Sequence, residues 1–143
     1  MNIAFFLTPK VEVAYLTPQA TMRQALEKME YHRYTAIPII DDEGMYIGTI
    51  TEGDLLWKLK NTPDLNFKNT SKILLEGISR KMDNKPVYID SNIEDLIFLS
   101  INQNFVPVVD DQNIFIGIIK RSEIIDYCYK SLFIEKNKNV LTL

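Results

Sequence analysis

Apolar and polar positions along this chain follow two rhythms, and each rhythm occurs twice. From Met22 to His32, the residues Met22, Ala25, Leu26 and Met29 recur three and four apart, which predicts a helix with one inward face. Thr21 and Gln24 form a capping-box pair at its start. Two short runs follow, Ile37 to Ile40 and Met45 to Ile50. They are rich in β-branched residues and are divided by Asp41, Asp42 and Gly44, so they predict a β-hairpin. A second helix is predicted over Asp54 to Lys60. The pattern then returns: a helix from about Asn92 to Gln103 with Ile93, Leu96, Ile97 and Ile101 inward, and Ser91 with Glu94 as its capping pair. Strands follow at Val106 to Val109 and Ile114 to Ile119, then a helix from Glu123 to about Glu135. Short strands at Val13 to Leu16 and Val87 to Ile89 are predicted ahead of the two long helices.

The recurrence is an internal repeat. Residues 38–56 read PIIDDEGMYIGTITEGDLL and residues 107–125 read PVVDDQNIFIGIIKRSEII, and they align without a gap. Pro38 matches Pro107, Asp41 and Asp42 match Asp110 and Asp111, and Ile47-Gly48 matches Ile116-Gly117. Gly44 and Asn113 sit at matching turn positions where a positive φ costs little. The fold class is therefore α/β in the α+β sense: tandem, pseudo-twofold β-α-β-β-α repeats. The expected division is repeat 1 over 1–60, a linker over 61–79, repeat 2 over 80–135 and a tail over 136–143. One repeat is too small to hold a stable core alone, and two can cover each other's apolar faces. Ile73, Leu74, Leu75 and Ile78 make part of the connection apolar enough to pack on the module.

Composition narrows the function. Of 143 residues, 46% are apolar and 24% charged, with a net charge of −3, which argues against a duplex nucleic-acid binder. A single Cys128 and a single His32 leave no internal disulfide and nearly exclude a zinc site. No apolar run approaches the roughly 20 residues that span a bilayer. Met1 to Lys10 lacks the features of a signal peptide, so a cytoplasmic location is expected. Carboxylates are plentiful, but no nucleophile–base pair accompanies them, and no catalytic role is expected.

The repeat resembles the cystathionine-β-synthase (CBS) domain, and its duplication resembles a CBS pair, or Bateman module. Copy one carries Ile37-Pro38-Ile39-Ile40-Asp41, then Gly48-Thr49-Ile50-Thr51-Glu52-Gly53-Asp54, which matches the family pattern G-x-h-T-x-x-D in full. Copy two departs from it with Gly117-Ile118-Ile119-Lys120-Arg121-Ser122-Glu123: Lys120 replaces the hydroxyl residue and Glu123 the aspartate. Tyr34-Thr35-Ala36-Ile37-Pro38 also resembles small stand-alone CBS pairs of Gram-positive bacteria, some of which bind cyclic di-adenylate. The resemblance implies an adenine nucleotide (AMP, ADP, ATP or cyclic di-AMP) in the cleft between repeats, no required cofactor, a homodimer built through helices, and a separate protein as the regulated partner. A ligand-free dimerising scaffold with vestigial pockets is the alternative.

On that resemblance Asp54 accepts hydrogen bonds from both ribose hydroxyls; as a first-turn acid it also suits the helix dipole. The Thr51 hydroxyl and the N–H groups of Glu52 to Asp54 can take a phosphate, or Thr51 can simply cap the helix. The turn Thr35, Ala36, Ile37 before Pro38 lines the cleft in the family, and Asn104, Phe105 and Val106 are its counterparts. Phe105 stacks on a base or belongs to the core. Lys120 and Arg121 at the second motif, and Arg80 and Lys81 before the second short strand, are candidates for phosphate or are solvated surface charge. Arg33 and His32 read as cations at a helix C-terminus. Leu56 and Trp57, and the face of Tyr127, Tyr129, Leu132, Phe133 and Ile134, are core or dimer surface.

Overall fold

The computed structural model describes residues 2–134, so the predicted tail at 136–143 and the helix end at Glu135 lie outside the described residues. Repeat 1 comprises α1 (Met22–His32), β2 (Ala36–Ile40), β3 (Tyr46–Thr51) and α2 (Glu52–Asn61). Repeat 2 comprises β4 (Val87–Tyr88), α3 (Ile93–Ser100), β5 (Phe105–Val109), β6 (Phe115–Lys120) and α4 (Arg121–Tyr129). β1 (Thr8–Pro9) precedes them.

The hairpins form as the pattern predicts. β2 pairs antiparallel with β3 (Ile37 opposite Ile50), and β5 with β6 (Val106 opposite Ile119). Both ladders carry an irregularity at the same place, between Ile39 and Ile40 and between Val108 and Val109. The turns are copies too. The Asp41 carboxylate accepts from the Glu43 and Met45 N–H groups at 3.0 and 2.8 Å, and Asp110 accepts from Gln112 and Ile114 at 2.9 Å each. Gly44 (φ 86°) and Asn113 (φ 65°) take the positive-φ positions.

β2 and β5 are buried on both faces because each is sandwiched. Strand alternation sends Ile37 and Ile39 into a core with Met22, Ala25, Met29 and Leu55, while Ala36 and Ile40 join Phe105, Phe115 and Ile118 at a seam between the repeats. Val106 and Val108 pack with Leu96, Ile119 and Ile124 in the second helical core. The seam has a pseudo-twofold axis, and contacts between counterparts mark it. Counterparts are 69 residues apart (107 − 38). Met45 bridges Ile114, the Tyr46 and Phe115 rings stack at 6.4 Å, and Asn104 Nδ2 donates to Thr35 Oγ1 at 3.0 Å. Each of these pairs joins a residue to its own copy.

The lead-in segments cross over. Ile3, in a short 3-10 turn (Ile3–Phe6), is fully buried in the core of repeat 2, and β1 pairs with β6. Leu75 and Ile78, ahead of repeat 2, are buried in the core of repeat 1, as their apolar character suggested. Gly117 makes the first crossing possible, because a Cβ there would collide with the Thr8 carbonyl and with Leu7.

Four expectations need correction. Val13 to Leu16 is not a strand; only Leu16 bridges Ile39, since a short 3-10 turn (Lys10–Glu12) and the crossing bend the chain away. The cap of α3 is Asn92, whose side chain accepts from the Asp95 N–H at 3.1 Å, not Ser91 with Glu94. The inward stripe of α3 runs through Ile93, Leu96 and Leu99, three residues apart, while Ile97 and Ile101 are exposed. α4 begins at Arg121 rather than Glu123 and passes after Tyr129 into a π turn (Lys130–Ile134).

Candidate functional site

A cleft of about 360 Å³ opens where the two hairpins meet, within the range of small-molecule pockets. One wall is the start of β2: Tyr34, Thr35, Ala36 and Pro38. The facing wall is Asn104, Phe105, Ile118 and Lys120, with Ser122 at the start of α4. The crossing lead-in of repeat 1 covers it with Glu12, Val13 and Ala14. The Thr35–Asn104 hydrogen bond ties the two walls together. Ala36, Pro38, Phe105 and Ile118 are buried and apolar, whereas Arg33 and Lys120 are exposed. The combination is an apolar slot with cations beside it, which suits a flat base and an anionic group. Arg33 sits there because α1 ends in a left-handed residue (φ 60°) that swings the chain toward the seam.

A second mouth lies at the start of α2, where Thr51 is the counterpart of Lys120. Thr51 caps α2: its hydroxyl accepts the Asp54 N–H at 3.2 Å, and Asp54 Oδ2 accepts the Thr51 N–H at 3.0 Å. The other oxygen of Asp54 accepts the Lys81 N–H at 3.2 Å. Asp54 is 5% exposed and borders a pocket of about 280 Å³ with Trp57, Lys58 and the Gly77–Lys81 stretch. The Arg80 side chain lies over Gly48, where a Cβ would come within 2.7 Å of its Nε. Beneath, the Tyr46 hydroxyl sits 2.8 Å from Thr49 Oγ1 and donates to the Asn84 carbonyl at 2.7 Å. Burial pushes the Tyr46 phenol up to about 12, with the Thr49 hydrogen bond and the Arg80 charge opposing and Asp83 adding slightly.

The structure therefore divides the residues singled out in the sequence. Thr35, Ala36, Pro38, Asn104, Phe105 and Lys120 meet in the first cleft. Asp54 and Lys81 meet at the second mouth, with Thr51 and Arg80 beside them. Ile37 and Val106 are fully buried in the helical cores. Phe105 is both core and cleft wall. Arg121 turns inward, its Nε donating to the Gln103 carbonyl at 2.9 Å and its N–H to the Asn104 carbonyl at 3.0 Å, so it braces the approach to β5. Glu123, the counterpart of Asp54, is exposed, and Lys120 makes no side-chain cap for α4. Glu12, Val13, Ala14 and Ser122 were not singled out for the cleft, and Arg33 was read only as a helix-end charge. The crossing that brings Val13 and Ala14 over repeat 2 leaves no periodic signal in the sequence.

The sequence profile of the CBS domain matches twice, at residues 7–61 and 76–130. The chain belongs to the CBS-domain family. Among its relatives, the chloroplastic CBS domain-containing proteins CBSX1 and CBSX2 of Arabidopsis thaliana are each 25% identical over 150 residues, covering 87% of this chain. The chain spans 62% of the length of each. Its CBS pair superposes on Listeria monocytogenes CbpB in complex with c-di-AMP with a TM-score of 0.80 at 20% identity, covering 94% of this chain and 99% of that one. CBSX2 in complex with AMP gives a TM-score of 0.70 at 23% identity, covering 90% and 96%. At these identities the two structures establish the tandem CBS fold. No helix among the described residues is long and apolar enough to cross a membrane.

Proposed function

We propose that this CBS pair is a regulatory receptor for an adenine nucleotide, AMP, ADP, ATP or c-di-AMP, held in the cleft between its repeats. The observation that carries the reading is the cleft itself. It straddles both hairpins, is bridged by Thr35–Asn104, and sets apolar walls (Ala36, Pro38, Phe105, Ile118) beside Arg33 and Lys120. The slot accepts the purine, and the cations take phosphate. The complexes of CBSX2 with AMP and of CbpB with c-di-AMP support this ligand class.

A ligand touching both repeats favours the arrangement in which both walls fit it, and it can shift that equilibrium only by its differential affinity. The proposed output goes to a separate protein in the cytoplasm. The proposed homodimer forms through exposed apolar helix positions such as Ile125, Tyr129, Leu132 and Phe133. The work assigned to the chain is binding, not turnover. Calorimetry with AMP, ADP, ATP and c-di-AMP tests it. Saturable binding that Lys120→Ala weakens by about tenfold is expected, the order of one lost charge-assisted contact. No heat and no thermal stabilisation with any of the four would overturn the reading.

The scaffold reading has one observation in its favour: each oxygen of the Asp54 carboxylate accepts a backbone N–H of the chain itself, so the group has a structural role of its own. It predicts a dimer that binds none of the four nucleotides.

A further inference from the structure

Gln103 is 4% exposed and lies one residue before Asn104, which lines the cleft. Its side-chain amide holds the main chain of Lys85 on both polar groups, as a neighbouring strand would. Oε1 accepts the Lys85 N–H at 2.9 Å, and Nε2 donates to the Lys85 carbonyl at 3.1 Å and to the Phe105 carbonyl at 3.3 Å. The Gln103 carbonyl in turn accepts Arg121 Nε at 2.9 Å. Lys85 is exposed, so its main chain owes its place to this amide rather than to burial. One residue earlier, the Asn84 carbonyl accepts the Tyr46 hydroxyl of β3 at 2.7 Å. Residues 84 and 85 of the lead-in to repeat 2 are therefore held between the hairpins, by Tyr46 of repeat 1 and by Gln103 of repeat 2. Repeat 1 is built differently. Tyr34 stands at the counterpart of Gln103, is 40% exposed and stacks on His32 at 5.2 Å. The lead-in of repeat 1 is tied instead from α1, where Lys28 Nζ donates to the Tyr15 carbonyl at 2.8 Å.

We propose that Gln103 is a positioning residue that couples the cleft wall at Asn104 and Phe105 to residues 84 and 85 of the lead-in. The wall and the Gln103 amide are joined by the chain itself and by the Phe105 carbonyl. A group that presses on Asn104 or Phe105 moves that amide, Lys85 follows it, and the Asn84 carbonyl carries the change to the Tyr46 hydroxyl. The route leaves repeat 2 through one side chain and enters repeat 1 at β3, away from the Thr35–Asn104 bond that spans the cleft. Such a chain of hydrogen bonds transmits only if its members move together, and that is a measurable property. Its use in sensing a nucleotide rests on the receptor reading above; the coupling itself does not.

A cycle of two substitutions, read by amide chemical shifts of the nucleotide-free protein, tests the coupling without any ligand. Thr35→Val removes the hydroxyl to which Asn104 donates and so disturbs the wall from the side away from Lys85. It should shift the Lys85 amide in the parent chain. The same change should leave Lys85 unmoved in Gln103→Met, which keeps the side-chain length without the amide. Gln103→Met should also speed amide exchange at Lys85 by roughly tenfold or more while β2 amides hold. A merely structural Gln103 gives the faster exchange but leaves the Thr35→Val shift at Lys85 in place, and that result overturns the proposal. A Lys85 amide indifferent to Thr35→Val in the parent chain overturns it too, even if Gln103→Met does not fold. At AMP saturation Lys85 should shift in the parent and not in Gln103→Met, with Ala14 and Lys120 shifting in both. AMP binding that leaves Lys85 unmoved in the parent overturns the coupling and spares the receptor reading. A chain that binds no AMP yet completes the Thr35→Val cycle refutes the receptor reading and upholds the coupling.

Discussion

Replacing Asp54 with alanine should destabilise the fold, whereas Glu123→Ala at the counterpart position should not. Asp54 is 5% exposed and accepts the N–H groups of Thr51 at 3.0 Å and Lys81 at 3.2 Å. Truncation leaves both donors without a partner and removes half of the box that caps α2. A buried donor left unpaired costs about 1–3 kcal/mol. Thr51 is half-buried and Lys81 exposed, so water can reach both, and the low end applies to each. Their sum is about 2–3 kcal/mol, or roughly 8–12 °C in Tm for a domain of this size. Glu123 is exposed, and its loss should stay within about 0.5 kcal/mol. Urea and thermal unfolding of both variants without nucleotide measure the difference. If both unfold within 0.5 kcal/mol of the parent, Asp54 is not a structural clamp and the argument built on it fails.

Tyr46→Phe removes a hydroxyl shared by Thr49 and the Asn84 carbonyl and should cost about 1–2 kcal/mol by urea unfolding. Its phenol, raised by burial to about 12, stays protonated in the fold after unfolded tyrosine ionises near 10. The folded state then binds more protons, so the Tyr46 contribution is intact below pH 10 and is lost as pH rises toward about 12. Unfolding measured across that window should lose this slope in Tyr46→Phe. Gly117→Ala forces a Cβ into the Thr8 carbonyl and should cost more than about 2 kcal/mol, because backbone must move. Gly48→Ala meets only the Arg80 side chain, which can swing away, and should cost less in the same assay. Ile3→Ala should cost about 2–4 kcal/mol, since Ile3 is fully buried in the core of repeat 2; an unchanged midpoint would mean the N-terminal segment is not part of that core.

Most of the fold was legible because repetition makes each weak local signal appear twice. The Thr21–Gln24 capping box, the Asp41 and Asp110 turns and the positive φ at Gly44 and Asn113 all follow from short-range chemistry. The start of α3 is ambiguous because Ser91 and Asn92 are both competent caps, and its inward face is ambiguous because Ile93, Leu96, Ile97, Leu99 and Ile101 leave two apolar stripes to choose from. The crossing of β1 onto β6 was not legible, since Ile3 and Phe6 carry no mark of which repeat they join. That crossing decides the site. The motif Thr51 to Asp54 is equally good as a phosphate mouth and as a helix cap, and only the position of Lys81, 27 residues on, separates the two. Lys120, where the second motif departs from the pattern, faces the first cleft instead.

The most direct test of the nucleotide-receptor account is a titration of ¹⁵N-labelled protein with AMP and with c-di-AMP, followed by amide chemical shifts. The account predicts saturable shifts centred on Ala14, Thr35, Ala36, Phe105 and Lys120, with the Thr51 to Leu55 amides still at nucleotide saturation. Shifts centred on Asp54 and Lys81, or no shifts with either nucleotide, would contradict it.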